Sequence, residues 1–79
     1  MSKASSYFTI SNLNDKHDVK ELKRELDTFR GVISVSISNE KSDIAVDYDT
    51  TGVDQGRLEK AISKLGYHIT DTRFENHIM

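Results

Sequence analysis

The chain has 79 residues, 35% of them apolar, and a formal charge of −2. This suits one small domain with a single thin core, a sheet covered by helices on one face. It gives no general attraction to nucleic acid or anionic lipid. No apolar run approaches the ~20 residues that a membrane span needs.

There is no cysteine. Disulfides, thiolate metal sites and cysteine nucleophiles are therefore all excluded, and the redox compartment stays open. The opening residues, Met1 to Ser6, are polar and lack the apolar segment of a signal peptide, so a cytoplasmic location is the default expectation.

In chain order, Met1 to Ser5 read as a frayed end. Tyr7 to Ile10 is aromatic and β-branched, with Phe8 and Ile10 on one face, and predicts strand one. Asn14 or Asp15 can cap a helix whose apolar stripe is Val19, Leu22, Leu26 and Phe29, and Gly31 ends it. The rest of that helix is charged, with Glu21 and Glu25 among Lys20, Lys23 and Arg24, as on any solvated face.

Val32 to Ser38 alternates, with Ile33, Val35 and Ile37 on one face, and predicts strand two. Asn39 to Ser42 is turn-rich, and Ile44, Val46 and Tyr48 mark strand three, hairpin-paired to strand two. Asp54 caps a second helix with the stripe Leu58, Ala61, Ile62 and Leu65, stopped by Gly66. Tyr67 to Thr70 opens strand four, which extends as far as Phe74, and Glu75 to Met79 read as a loose tail.

The order is strand, helix, strand, strand, helix, strand. Right-handed crossovers then predict an α+β, ferredoxin-like βαββαβ sandwich: a four-stranded antiparallel sheet with two helices on one face. Residues 1–79 form one domain in this reading, ordered over about 6–74 with flexible ends.

These residues resemble the heavy-metal-associated domain of soluble copper chaperones and of the N-terminal domains of copper-transporting ATPases. The likeness runs from Phe8 to Ile69. It is carried by Leu22, Leu26, Gly31-Val32, Val35, Ile37, Val46, Tyr48-Asp49, Ile62 and Leu65-Gly66-Tyr67. The resemblance implies a non-enzymatic role in metal-ion binding or trafficking and a metal-transporting ATPase or other protein as partner.

The family's hallmark is Met-x-Cys-x-x-Cys in the loop entering the first helix. Aligned on Gly31-Val32, Leu13 takes the Met position, and Asp15 and Asp18 take the two cysteines with Lys16 and His17 between them. Copper(I) prefers sulfur, whereas carboxylate suits harder ions, so the family's copper(I) site cannot be imitated here.

Asp15 and Asp18 admit two readings. As helix caps they satisfy the positive, hydrogen-bond-hungry first turn without any metal. As ligands, Asp15, His17 and Asp18 would hold a copper or zinc ion through carboxylate and imidazole. Neighbouring helical residues diverge by about 100°, which works against His17 and Asp18 converging. His68 is a fourth candidate, because in this topology the loop before strand four lies beside the loop before the first helix. The alternative is that strand alternation turns His68 to the open sheet face. His77 and Met79 form a His-x-Met tail, a poorly preorganised site at a chain end.

No catalytic constellation and no glycine-rich phosphate loop is present. A rival resemblance is to RNA-recognition motifs, which share the strand order and an Asn-Leu close to the segment Phe8 to Leu13. The stacking aromatic expected there falls on Thr9, and Asp43 to Tyr48 lacks the basic and aromatic pattern, so no nucleic-acid partner is expected. A third class is a metal-independent regulatory module that binds a protein or small ligand.

Overall fold

The alternating segments pair into one antiparallel sheet. The computed structural model of the chain describes residues 3–11, 13 and 16–77, with backbone alone at 16, 17, 76 and 77. Its elements are β1 (Lys3–Ile10), α1 (Lys16–Asp27), β2 (Val32–Ser38), β3 (Asp43–Asp49), α2 (Gln55–Lys64) and β4 (Ile69–His77). The strand order is β2-β3-β1-β4, and each neighbouring pair is antiparallel. The expected βαββαβ sandwich is thus the observed fold.

The core follows from the period of each element. Phe8 and Ile10 of β1 and Ile44, Val46 and Tyr48 of β3 face the helices, where Leu22 and Leu26 of α1 and Leu58, Ala61 and Ile62 of α2 meet them. Leu13, Val53 and Tyr67 close the two ends of this core. Each fully buried apolar side chain contributes roughly 1.5–3 kcal/mol.

Asp54 caps α2 as its sequence predicts, its carboxylate accepting from the Arg57 N–H at 2.9 Å. α1 ends at Asp27, two residues before the end of its apolar stripe. Tighter turn bonds, Thr28 N–H to Glu25 C=O and Phe29 N–H to Leu26 C=O, carry the chain on, and Phe29 still packs against the core. Gly31 then reverses the chain at φ +102°, with its Cα packed against Gly52.

Three strands differ from the sequence expectation. β1 begins at Lys3, not Tyr7, and β4 starts at Ile69, not Tyr67, and runs to His77, not Phe74. The two extensions pair with each other, Lys3 opposite His77 and Ser5 opposite Glu75. Ala4 and Ser5 are buried rather than frayed, and Ser6 is buried with them. Their polarity hides this, because each serine finds its partner across the sheet. The Ser6 hydroxyl meets the Tyr48 phenol at 2.8 Å, and the Ser5 hydroxyl donates to Asp47.

The third difference is in β2, where Ile33 was expected to face inward. A bulge between Val32 and Ser34 sets both Val32 and Ile33 against a single position of β3. Val32 therefore turns in beside Tyr48, and Ile33 is left 55% exposed.

Candidate metal loop

The loop between β1 and α1 is fixed at both sides. On the β1 side, the Ile10 N–H donates to the Ser42 carbonyl at 2.9 Å, tying the strand end to the β2–β3 turn. The Leu13 side chain is 7% exposed and belongs to the core, so the position that carries Met in the resembling motif acts here as an apolar anchor. On the helix side, α1 starts at Lys16 and carries Asp18 as the acidic residue of its first turn. A carboxylate there opposes the positive end of the helix. Leu13 thus anchors in the core shortly before α1 begins at Lys16, and Asp18 stands in the first helical turn, as the sequence predicts.

The loop before β4 lies against this one. The Ser11 N–H donates to the His68 carbonyl at 3.0 Å, a backbone clip between the two loops. His68 sits between Tyr67, which is buried, and Ile69, which packs against the core; His68 itself is exposed. It immediately precedes β4, between two residues that face the core.

Of the four candidate ligands, Asp18 lies in the first turn of α1 and His68 in the loop before β4. Asp15 and the His17 side chain lie outside the described residues, as do Met79 and the His77 side chain. Among the described residues, no group of three or more His, Cys, Asp or Glu side chains is close enough to hold a metal ion.

The clip through Ser11 was not legible in the sequence. It is a backbone bond between loops far apart along the chain, and no residue type marks it. Away from the loop, Asp49 at the end of β3 accepts from the Thr51 N–H at 3.0 Å and the Thr51 hydroxyl at 2.7 Å. These bonds, the backbone one foremost, lower its pKa below the ordinary carboxylate range. They organise the β3–α2 turn and lie apart from the clipped loops.

With this geometry in hand, comparison with known proteins is decisive for the family. The family model described as the heavy-metal-associated domain matches residues 7–68. The chain belongs to the heavy-metal-associated domain family. The match spans the loop, both helices and His68. Membership makes this a non-enzymatic domain.

Among curated proteins, none matches the chain in sequence. Solved structures share the heavy-metal-associated fold. A CopZ metallochaperone superposes with TM-score 0.80 at 21% identity, over 84% of this chain and 98% of that one. A CsoZ metallochaperone gives 0.80 at 22%, over 87% and 99%. The N-terminal domain of a potential copper-translocating P-type ATPase from Bacillus subtilis, in its Cu(I)-loaded state, gives 0.78 at 16%, over 100% and 95%. No helix of the described residues is long and apolar enough to cross a membrane.

Proposed function

We propose that this heavy-metal-associated domain binds or carries a metal ion through a cysteine-free loop, with a borderline or hard ion such as copper(II) or zinc in place of copper(I). The observation that supports this most is the backbone clip from Ser11 to His68, which sets a histidine-bearing loop beside the Leu13–Asp18 loop of a family whose metal site is in that loop. Asp15, His17, Asp18 and His68 are the ligands of this reading. Imidazole and carboxylate suit such ions, and thiolate, the ligand of the family's copper(I) site, has no source in this sequence.

A metal-transporting ATPase of the kind whose N-terminal domain shares this fold is the partner that the family suggests, and the cytoplasm is the compartment in which the two would meet. Titrating the protein with copper(II), zinc and copper(I) while following amide shifts tests the reading. Shifts confined to residues 11–20 and 66–69, saturating with copper(II) or zinc well below ~1 mM, are expected. Binding of no ion below that concentration would refute it.

A second reading rests on Asp18 in the first turn of α1. A carboxylate satisfies a helix N-terminus without any metal, so the loop would serve a metal-independent module that binds a protein or small ligand. The substitution Asp15→Ala separates the two. A stability loss of about 1 kcal/mol with no metal affinity to lose favours the module. Lost metal affinity at unchanged stability favours carriage. Replacing both aspartates, Asp15→Cys with Asp18→Cys, is expected to create copper(I) binding, because the scaffold around the loop is that of the family.

A further inference from the structure

The sheet ends on two edges, and they are not equivalent. β2 is seven residues long and broken by the bulge at Val32–Ser34. Such a bulge obstructs the approach of another strand. β4 is nine residues long and pairs only with β1, in a register that is regular from Thr9 opposite Asp71 to Lys3 opposite His77. Among the described residues its outer edge has no neighbouring strand, and it carries Phe74, 53% exposed.

Charges on an edge strand usually repel a second strand, and β4 carries Asp71, Arg73 and Glu75. Their spacing changes that outcome when the second strand is β4 itself. An antiparallel pair about a two-fold axis at Arg73 would set Arg73 against Arg73 and Asp71 against Glu75, which is repulsive. An axis at Thr72 would set Asp71 against Arg73, twice by symmetry, but also Ile69 against Glu75 and Phe74 against Thr70, which strands the aromatic and faces an apolar side chain with a charge.

An axis at Phe74 sets Phe74 against Phe74 and, twice by symmetry, Arg73 against Glu75. The faces sort correctly as well. Arg73 and Glu75 stand opposite Tyr7 and Ser5 on the open side of the sheet, and the Arg73 guanidinium lies 5.4 Å over the Tyr7 ring. Phe74 stands opposite Ser6, on the side that carries the helices. Ion pairs would then line one face of the joint, and an aromatic pair the other.

We propose that β4 is a self-recognition edge, where a second copy of this chain pairs antiparallel about an axis at Phe74 and joins two four-stranded sheets into one of eight. The charge complementarity of the strand with itself selects a second copy over an unrelated segment. Phe74 lies five residues beyond the start of β4, roughly 17 Å along the strand from the clipped loops, so the joint leaves them open. Edge pairing of this size falls below the ~1,200 Å² of a standard interface, so the dimer is weak, with Kd on the order of 0.1–1 mM.

Sedimentation and amide exchange of the full chain across that concentration range test the proposal. Mass is expected to rise toward the dimer, with exchange slowing along residues 70–76 and unchanged in β2. Arg73→Glu and Glu75→Arg each create two like-charge pairs and should weaken association at least ~10-fold, and the double reversal should restore it. Glu75→Arg leaves the Arg73–Tyr7 contact intact, so its effect is not one of local refolding. A protein that stays monomeric at ~2 mM, a double reversal that fails to rescue the singles, or protection that maps to β2 would overturn it.

Discussion

Ser6 and Tyr48 are both 0% exposed, with 2.8 Å between their hydroxyl oxygens, and Ser6 donates onward to the Gln55 side-chain oxygen at 3.4 Å. Tyr48 therefore donates to Ser6, and the chain of hydroxyls ends on α2. Ser6→Ala removes the acceptor and leaves a buried phenol without a partner, a cost of about 1–3 kcal/mol. Tyr48→Phe removes one donation and leaves Ser6 bonded to Gln55, costing about 1 kcal/mol. The double variant should cost no more than Ser6→Ala alone, a coupling of about 1 kcal/mol. For a chain of this length, 1 kcal/mol moves Tm by about 6 °C. Urea unfolding of the four proteins gives the cycle. If the two losses simply add, or if Ser6→Ala is silent, β1 does not run through the buried serines and the long β1–β4 ladder is wrong.

Gly31→Ala is expected to destabilise by roughly 1–2 kcal/mol or more in the same unfolding assay. At φ +102° its Cβ would stand 3.0 Å from the Gly52 Cα and 3.2 Å from the Asp49 carbonyl oxygen, both backbone atoms with little room to move. Ile33→Ser, at the exposed bulge residue, should stay within ~0.5 kcal/mol of the parent, whereas Val35→Ala, at a buried position, should cost ~1–3 kcal/mol; equal costs would place the bulge elsewhere. Thr51→Val should raise the Asp49 pKa toward the ordinary carboxylate value but leave it lowered, since the larger backbone bond survives. A carboxyl NMR titration reads this directly. Because the folded pKa is the depressed one, the stabilisation that Asp49 gives is present above its unfolded pKa and is lost as pH falls through the folded value. Thr51→Val should therefore flatten that acid limb of the stability curve.

What the sequence revealed and what it concealed divide by the range of the interaction. Both helix stripes, the Asp54 cap and the β2–β3 hairpin depend on residues a few positions apart, and they stand where the periodicity puts them. The extra length of β1 does not. Lys3 to Ser6 has no apolar alternation, and its serines are satisfied by Asp47 and Tyr48, 42 residues away. β4 lacks alternation for another reason: as an edge strand it has little to bury beyond Ile69. In β2 the pattern misled, since Ile33, Val35 and Ile37 alternate perfectly and the bulge moves only the first of them. At the loop, the position of Leu13 and the neighbourhood of His68 were readable from the topology. The Ser11–His68 clip was not, because a backbone bond leaves no mark on side-chain identity.

The carboxylates at the mouth of α1 also bear on how tightly such a loop can hold an ion. A thiol has an ordinary pKa of about 8.5, so in a cysteine loop at neutral pH a metal or the helix dipole must favour the anion. An aspartate is ionised there already, and Asp18 supplies its negative charge to the first turn of α1 with no ion present. A carboxylate at that position thus meets the demand of the helix terminus, which lets the scaffold persist without sulfur. An ion that recruits Asp18 would draw its carboxylate away from the positive end of α1, at a cost of about 0.3–1 kcal/mol, or up to roughly a fivefold loss of affinity. In the carriage reading, metal and helix terminus therefore compete for the Asp18 carboxylate. The carriage reading accordingly demands that bound metal weaken, rather than strengthen, the protection of the first-turn amides of α1.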